Sequence, residues 1–89
     1  MISWYAVYTK PQLEVWAKNN LEERGLEVYL PRYLKQRRHA RRTDIVPRPL
    51  FPRYLFVHAD IDVGHRLWVN TAPGVAYLLS FGDHPAIVS

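Results

Sequence analysis

The chain has no cysteine, one methionine and only four glycines in 89 residues, and its eight acidic residues are outnumbered by twelve lysines and arginines. Without cysteine there is no disulfide framework and no thiolate metal site, a composition that fits a reducing compartment. No apolar run is long enough for a transmembrane helix. The opening residues Met1-Ile2-Ser3-Trp4-Tyr5 lack the charged and apolar regions of a secretory signal. The expectation is a soluble cytoplasmic protein that does not use a membrane. Internal repeats and low-complexity stretches are also missing. The length suits one domain spanning residues 1–89. Such a chain buries about 60% of its unfolded surface, a modest but sufficient core.

Signs of catalysis are equally scarce. There is no glycine-rich phosphate loop and no nucleophile elbow. The four histidines, His39, His58, His65 and His84, are scattered and form no His-x-x-x-His or His-Glu-x-x-His pair. Each reads as a surface histidine. Asp60 and Asp62 are close in sequence, but a helix start attracts acids, so they read as capping residues. Ser80 and Ser89 have no evident base. No enzyme activity, catalytic residue, metal or cofactor is expected.

What is abundant is positive charge in one place. Arg32, Lys35, Arg37, Arg38, Arg41, Arg42, Arg48 and Arg53 crowd a short segment whose only acid is Asp44. Such a stripe can contact phosphate, and a charge run can equally be a solvated arm. Proline at positions 47 and 49 keeps the end of this segment out of a central strand. A partly ordered hairpin arm is expected, with strands at 33–38 and 43–48 and a turn near Arg41.

The other concentration is aromatic. Pro49-Leu-Phe-Pro-Arg-Tyr-Leu-Phe-Val57 is dense in residues that favour strands. Alternation from Arg53 puts Leu55 and Val57 on one face and Tyr54 and Phe56 on the other. Either the aromatics look outward beside Phe51 and Pro52, or both faces of a central strand are covered. An exposed aromatic patch would mark a partner.

The remaining elements follow from pattern. Ser3–Thr9 reads as a strand in which Trp4, Ala6 and Tyr8 share a face. Thr9 and Gln12 resemble a capping box, with Pro11 in the first turn of a helix reaching about Arg24. Leu13, Trp16, Ala17 and Leu21 form its expected core stripe, and Gly25 its stop. Strands are expected at 26–30, 49–57 and 75–81. A second helix is expected over about 61–71, capped by Asp60 and weakened by Gly64. Two βαβ halves make an α+β, ferredoxin-like fold: an antiparallel sheet, two helices on one face and a basic β-hairpin arm.

Trp4-Tyr5, Phe51-Pro-Arg-Tyr-Leu-Phe-Val57, Thr71-Ala-Pro-Gly-Val75, Phe81-Gly82 and Pro85-Ala-Ile-Val88 together resemble the N-terminal (NGN) domain of the NusG family, nearest to its specialised RfaH-like paralogues. The likeness covers essentially the whole chain and implies a transcription elongation or antitermination factor domain. Such a domain binds the clamp helices of the largest RNA polymerase subunit, bridges the cleft and suppresses pausing. It implies polymerase-binding roles for Tyr8, Phe51, Pro52, Tyr54 and Phe56. His65 and Arg66 match a helix motif that meets the polymerase gate loop, although Arg66, Leu67 and Trp68 stand where the family carries threonines. Lys10 and Asn70 match a patch that reads the non-template DNA strand, and Pro73 replaces an arginine of that patch. The family's C-terminal KOW barrel is absent from these residues, which implies either an excised domain or fragment, the favoured reading, or a naturally short protein. A monomer is expected. The rival reading is a general single-stranded nucleic-acid-binding module that uses Arg37, Arg38, Arg41 and Arg42.

Overall fold

A computed structural model describes residues 2–61 and 64–88. Its centre is the antiparallel pairing of β1 (Ile2–Thr9) with β5 (Tyr54–Asp60), in register from Ile2 opposite Asp60 to Tyr8 opposite Tyr54. Strands β2 (Glu27–Tyr29) and β6 (Val75–Leu78) flank them, giving the sheet order β2-β5-β1-β6, and the short β9 (Ile87–Val88) also pairs with β1. With helices α1 (Glu14–Glu23) and α2 (His65–Asn70) on one side, this is the expected ferredoxin-like α+β arrangement. Among the described residues no helix is long and apolar enough to cross a membrane.

Alternation along β5 decides which sheet face is the core. Leu55, Val57 and Ala59 are buried, while Tyr54, Phe56 and His58 are only partly covered. Tyr5 and Val7 of β1 join the buried side, against Ala17 and Leu21 of α1 and Val69 of α2. The strand itself begins later than its composition suggests. Residues 50–53 form a bend and turn, and Arg53 takes a φ of 71°, which a strand cannot continue.

Helix α1 also departs from expectation at its start and in its facing. Gln12 has a φ of 62°, Leu13 is the capping residue and makes no side-chain cap, so the Thr9–Gln12 box does not form. The inward residues are Glu14, Ala17 and Leu21, while Trp16 is 56% exposed and Leu13 lies at the rim. The reason is the close approach of Gly74: a Cβ there would stand 2.9 Å from the Ala17 nitrogen and 3.0 Å from Trp16 Cδ1. The helix therefore rests its smallest residue on the turn before β6, and the indole is pushed to the side. Its far end matches the expectation. Gly25 at φ 85° lets Leu26 N–H reach Leu21 O at 3.2 Å and Gly25 N–H reach Glu22 O at 2.9 Å, a complete Schellman closure.

Helix α2 is shorter than expected. It starts at His65 after Gly64 at φ 93° and has no side-chain cap. Asp60 ends β5 rather than capping α2, and Asp62 and Val63 lie outside the described residues. The final expected strand is broken into β6, a small hairpin of β7 (Ser80–Phe81) and β8 (His84–Pro85), and β9.

The arm is a two-stranded ribbon of β3 (Arg32–His39) and β4 (Arg42–Pro49), paired along its whole length and sharing no strand with the main sheet. Leu50 N–H closes its base on Pro31 O at 2.7 Å. The radius of gyration, 14.6 Å, exceeds the roughly 12 Å of a compact domain this long. The ribbon accounts for the excess, since it lies in a molecule 52 Å long and only 24 by 19 Å across.

Candidate interaction face

The sheet face away from the helices carries an aromatic array. Directly paired residues of antiparallel strands share a face. The register thus puts Trp4 beside His58, Ala6 beside Phe56, and Tyr8 between Tyr54 and Tyr77. Tyr29 on β2 extends the Phe56 row and Val88 sits beside Trp4. The rings meet in three groups. Trp4 and His58 stack at 4.7 Å, Tyr8 lies 5.1 Å from both Tyr54 and Tyr77, and Phe56 meets Tyr29 at 6.4 Å and Phe51 edge-on at 6.1 Å.

The face is open. Tyr29 is 57% exposed, Tyr77 49% and Phe51 48%, whereas Tyr8 and Tyr54, which pack on each other, and Phe56, which packs on Tyr29 and Phe51, are half-buried. Trp4, Tyr29, Phe56 and Val88 border an apolar hollow of about 310 Å³. Arg53 roofs one end, with its guanidinium carbon 4.0 Å from the Tyr8 centroid and its Nε donating to Thr9 O at 3.1 Å. The array is largely apolar and rimmed by polar groups, a surface suited to burying a partner's apolar side chains.

The thirteen residues singled out in the sequence do not form one patch. Tyr8, Tyr54 and Phe56 lie on the open face and Phe51 at its edge. Pro52 instead lines a cleft at the ribbon base. His65 and Arg66 belong to α2, in the layer behind the sheet. His65 Nδ1 accepts the Asp60 backbone N–H at 3.0 Å and the ring stacks on Trp68 at 5.3 Å. Arg66 donates to Asp83 O at 3.1 Å. Lys10 and Asn70 flank the same turn: Lys10 N–H donates to Gly74 O at 2.8 Å, and Asn70 Oδ1 accepts Leu78 N–H at 2.7 Å. That bond ties down one end of the Asn70 amide. Arg37, Arg38, Arg41 and Arg42 sit at the ribbon tip and are divided by register. Arg37 and Arg42 share one face, Arg38 the other, and Arg41 is in the turn.

Sequence reasoning missed Trp4, Tyr29, Tyr77 and His58 as members of the array. The signal for Trp4 was present in its two-residue spacing from Ala6 and Tyr8. His58 was likewise marked by its two-residue spacing from Phe56 and Tyr54, whereas Tyr29 and Tyr77 depend on strand registers that alternation alone does not provide. Among the described residues there is no group of three or more His, Cys, Asp or Glu placed to hold a metal.

Comparison with known proteins agrees with this fold. The chain is 32% identical over 103 aligned positions to the transcription termination/antitermination protein NusG of Thermus thermophilus, with 99% of this chain and 56% of that protein aligned. It superposes over its full length on 51% of a solved chain from a study of domain interaction in Thermotoga maritima NusG, with a TM-score of 0.73 and 26% identity. The chain thus spans about half the length of the relatives it matches. The family model described as transcription termination factor NusG matches residues 2–89, and the chain accordingly belongs to the NusG family of transcription termination and antitermination factors.

Proposed function

We propose that this chain is the polymerase-binding domain of an elongation factor. It docks its open aromatic face on the clamp helices of the largest RNA polymerase subunit. The observation that carries this reading is the set of aromatic rings on the open sheet face, with Trp4 and His58, Tyr8, Tyr54 and Tyr77, and Tyr29, Phe56 and Phe51 in three groups, on a sheet whose other face is used by the core. Two helices laid on such a face would bury aromatic anchors in the way that dominates binding energy at protein interfaces. His65 and Arg66 project from the opposite layer, so a second contact to the gate loop would let the domain span the polymerase cleft. Suppression of pausing then follows from tighter binding to the pause-free state than to the paused one. Lys10 and Asn70, beside the turn before β6, would contact the non-template strand. The mechanism needs no cofactor and no chemistry.

The test is a titration of the chain against isolated clamp helices. Phe51→Ala and Tyr54→Ala should each weaken binding by about 2 kcal/mol, the scale of an aromatic hot spot. Affinity unchanged in both variants overturns the reading. The ribbon supports a second reading, a single-stranded nucleic-acid module. There, neutralising Arg37, Arg38, Arg41 and Arg42 would abolish function while Phe51→Ala would do little.

A further inference from the structure

The two outer edges of the ribbon differ. Proline has no N–H, so Arg32 with Pro49 and Leu34 with Pro47 are the pairs that do not exchange ladder bonds. Alternation then assigns those bonds to Tyr33 with Arg48, Lys35 with Val46, Arg37 with Asp44 and His39 with Arg42. The backbone groups of the intervening residues point outward. On β4 that edge is interrupted by Pro47 and Pro49, which offer no donor, and Pro47 O accepts from Arg48 Nη1 at 3.5 Å. On β3 the outward N–H and C=O groups of Leu34, Gln36 and Arg38 meet no partner among the described residues, and the whole strand is exposed. Edge prolines guard against strand addition, and only β4 has them.

The two faces differ as well. Directly paired residues share a face. One face carries Lys35, Arg37, Arg42 and Arg48, with Asp44 its only acid. The other carries Leu34 beside Pro47 and Ile45 beside Gln36, with Leu34 73% exposed and Ile45 68%. A nucleic-acid backbone would use the basic face and leave the apolar face and the open edge unmatched. A second copy of β3 would bring Arg32, Lys35, Arg37 and Arg38 against the same cations, and like charges across a strand pair are unfavourable.

The complement to the open edge and both faces is an extended segment in which acidic and apolar residues alternate. We propose that β3 takes such a segment of a protein partner as a third strand of the ribbon. Main-chain bonds to Leu34, Gln36 and Arg38 supply affinity, and the alternation supplies specificity. The acidic side chains lie beside Lys35 and Arg37, and the apolar ones beside Leu34. The ribbon shares no strand with the sheet that bears the aromatic face, so this proposal stands apart from the polymerase-binding reading.

The experiment is fluorescence anisotropy of the chain with a labelled eight-residue peptide, the length of β3, in which glutamate and valine alternate. A peptide of the same composition, with its glutamates and valines in two blocks, is the comparison. The alternating peptide should bind about tenfold more tightly, the worth of one or two main-chain hydrogen bonds. Methylating its valine nitrogens should abolish binding, and methylating its glutamate nitrogens should not. In an antiparallel addition the donors aimed at β3 belong to residues on the Leu34 face. The reverse result identifies a parallel strand. Gln36→Pro deletes one outward donor, as Pro47 does on β4, and should weaken binding about tenfold. Hydrogen exchange at the Lys35 and Arg37 amides checks that the ladder of this variant is intact. Lys35→Glu with Arg37→Glu should lose the glutamate peptide and gain an alternating lysine and valine one. Tyr54→Ala, on the aromatic face, should change nothing here. Equal binding of the alternating and block peptides means that charge alone is read, as on a nucleic-acid track, and overturns the proposal. So does binding indifferent to which nitrogens are methylated, or binding that survives Gln36→Pro with the ladder intact.

Discussion

The guanidinium of Arg53 lies over the ring of Tyr8, 4.0 Å from its centroid, and reaches past it to donate to Thr9 O at 3.1 Å. The backbone of Arg53 returns the contact, since its carbonyl accepts Thr9 N–H at 2.7 Å. One residue thus fastens the end of β1 to the turn that presents Phe51. It does so from a φ of 71°, a strained value for a residue with a Cβ. Arg53→Ala keeps the strain and loses both side-chain contacts, so it should destabilise the fold by about 1.5 kcal/mol. Arg53→Gly loses the same contacts but relieves about 1 kcal/mol of strain. Urea denaturation should therefore rank the glycine variant above the alanine variant, against the usual order for the two residues.

Gly74 and Gly25 separate strain from collision. Both have positive φ, 90° and 85°. A Cβ on Gly25 meets nothing within 4 Å, whereas one on Gly74 meets the Ala17 backbone at 2.9 Å. Gly25→Ala should cost about 1 kcal/mol, the conformational term alone. Gly74→Ala should cost about 3 kcal/mol, because α1 must lift from the turn before β6. Equal melting temperatures for the two variants would remove the close approach as the determinant of how α1 is seated.

Leu21 and Trp16 test that seating from the helix side. Leu21 is fully buried and Trp16 is 56% exposed, although the apolar spacing of α1 counts both as core. Leu21→Ala should cost about 3 kcal/mol by transfer and cavity. Trp16→Ala should cost about 1 kcal/mol despite deleting the larger side chain. A larger loss at Trp16 than at Leu21 in thermal unfolding would contradict the facing of the helix.

These cases show why some of the molecule was legible in the sequence. Alternation in Tyr54-Leu55-Phe56-Val57 depends only on strand geometry, and the faces came out as read. Gly25 worked because a Schellman closure is a local event. Trp16 was misplaced because the helix rotation is decided by Gly74, a residue far along the chain with no side chain to reveal itself. The strand at Tyr54 started late because Arg53 takes a left-handed backbone that composition does not announce. The arginines of the ribbon looked like one cluster along the chain, but pairing Arg37 with Asp44 and Arg38 with Thr43 sends them to opposite faces. Tyr29 and Tyr77 joined the aromatic face through pairings with β5 and β1, which are long-range contacts.

The ribbon turn gives the last prediction. Ala40 and Arg41 both have positive φ, 47° and 67°, between the paired residues His39 and Arg42. This is the two-residue hairpin loop whose twist matches the strands, and it favours Asn-Gly because each central residue is left-handed. Neither alanine nor arginine suits that backbone. The double substitution Ala40→Asn with Arg41→Gly should stabilise the ribbon by about 1 kcal/mol, since the strain is removed and neither side chain makes a hydrogen bond among the described residues. The ribbon shares no strand with the main sheet, so the gain should appear locally. Hydrogen exchange is the appropriate measurement: amides of β3 and β4 should slow by about fivefold while those of β1 and β5 stay unchanged. Uniform slowing across the whole chain would mean that the ribbon folds and unfolds with the main sheet as one unit. Exchange unchanged in β3 and β4 would mean that the turn is not strained.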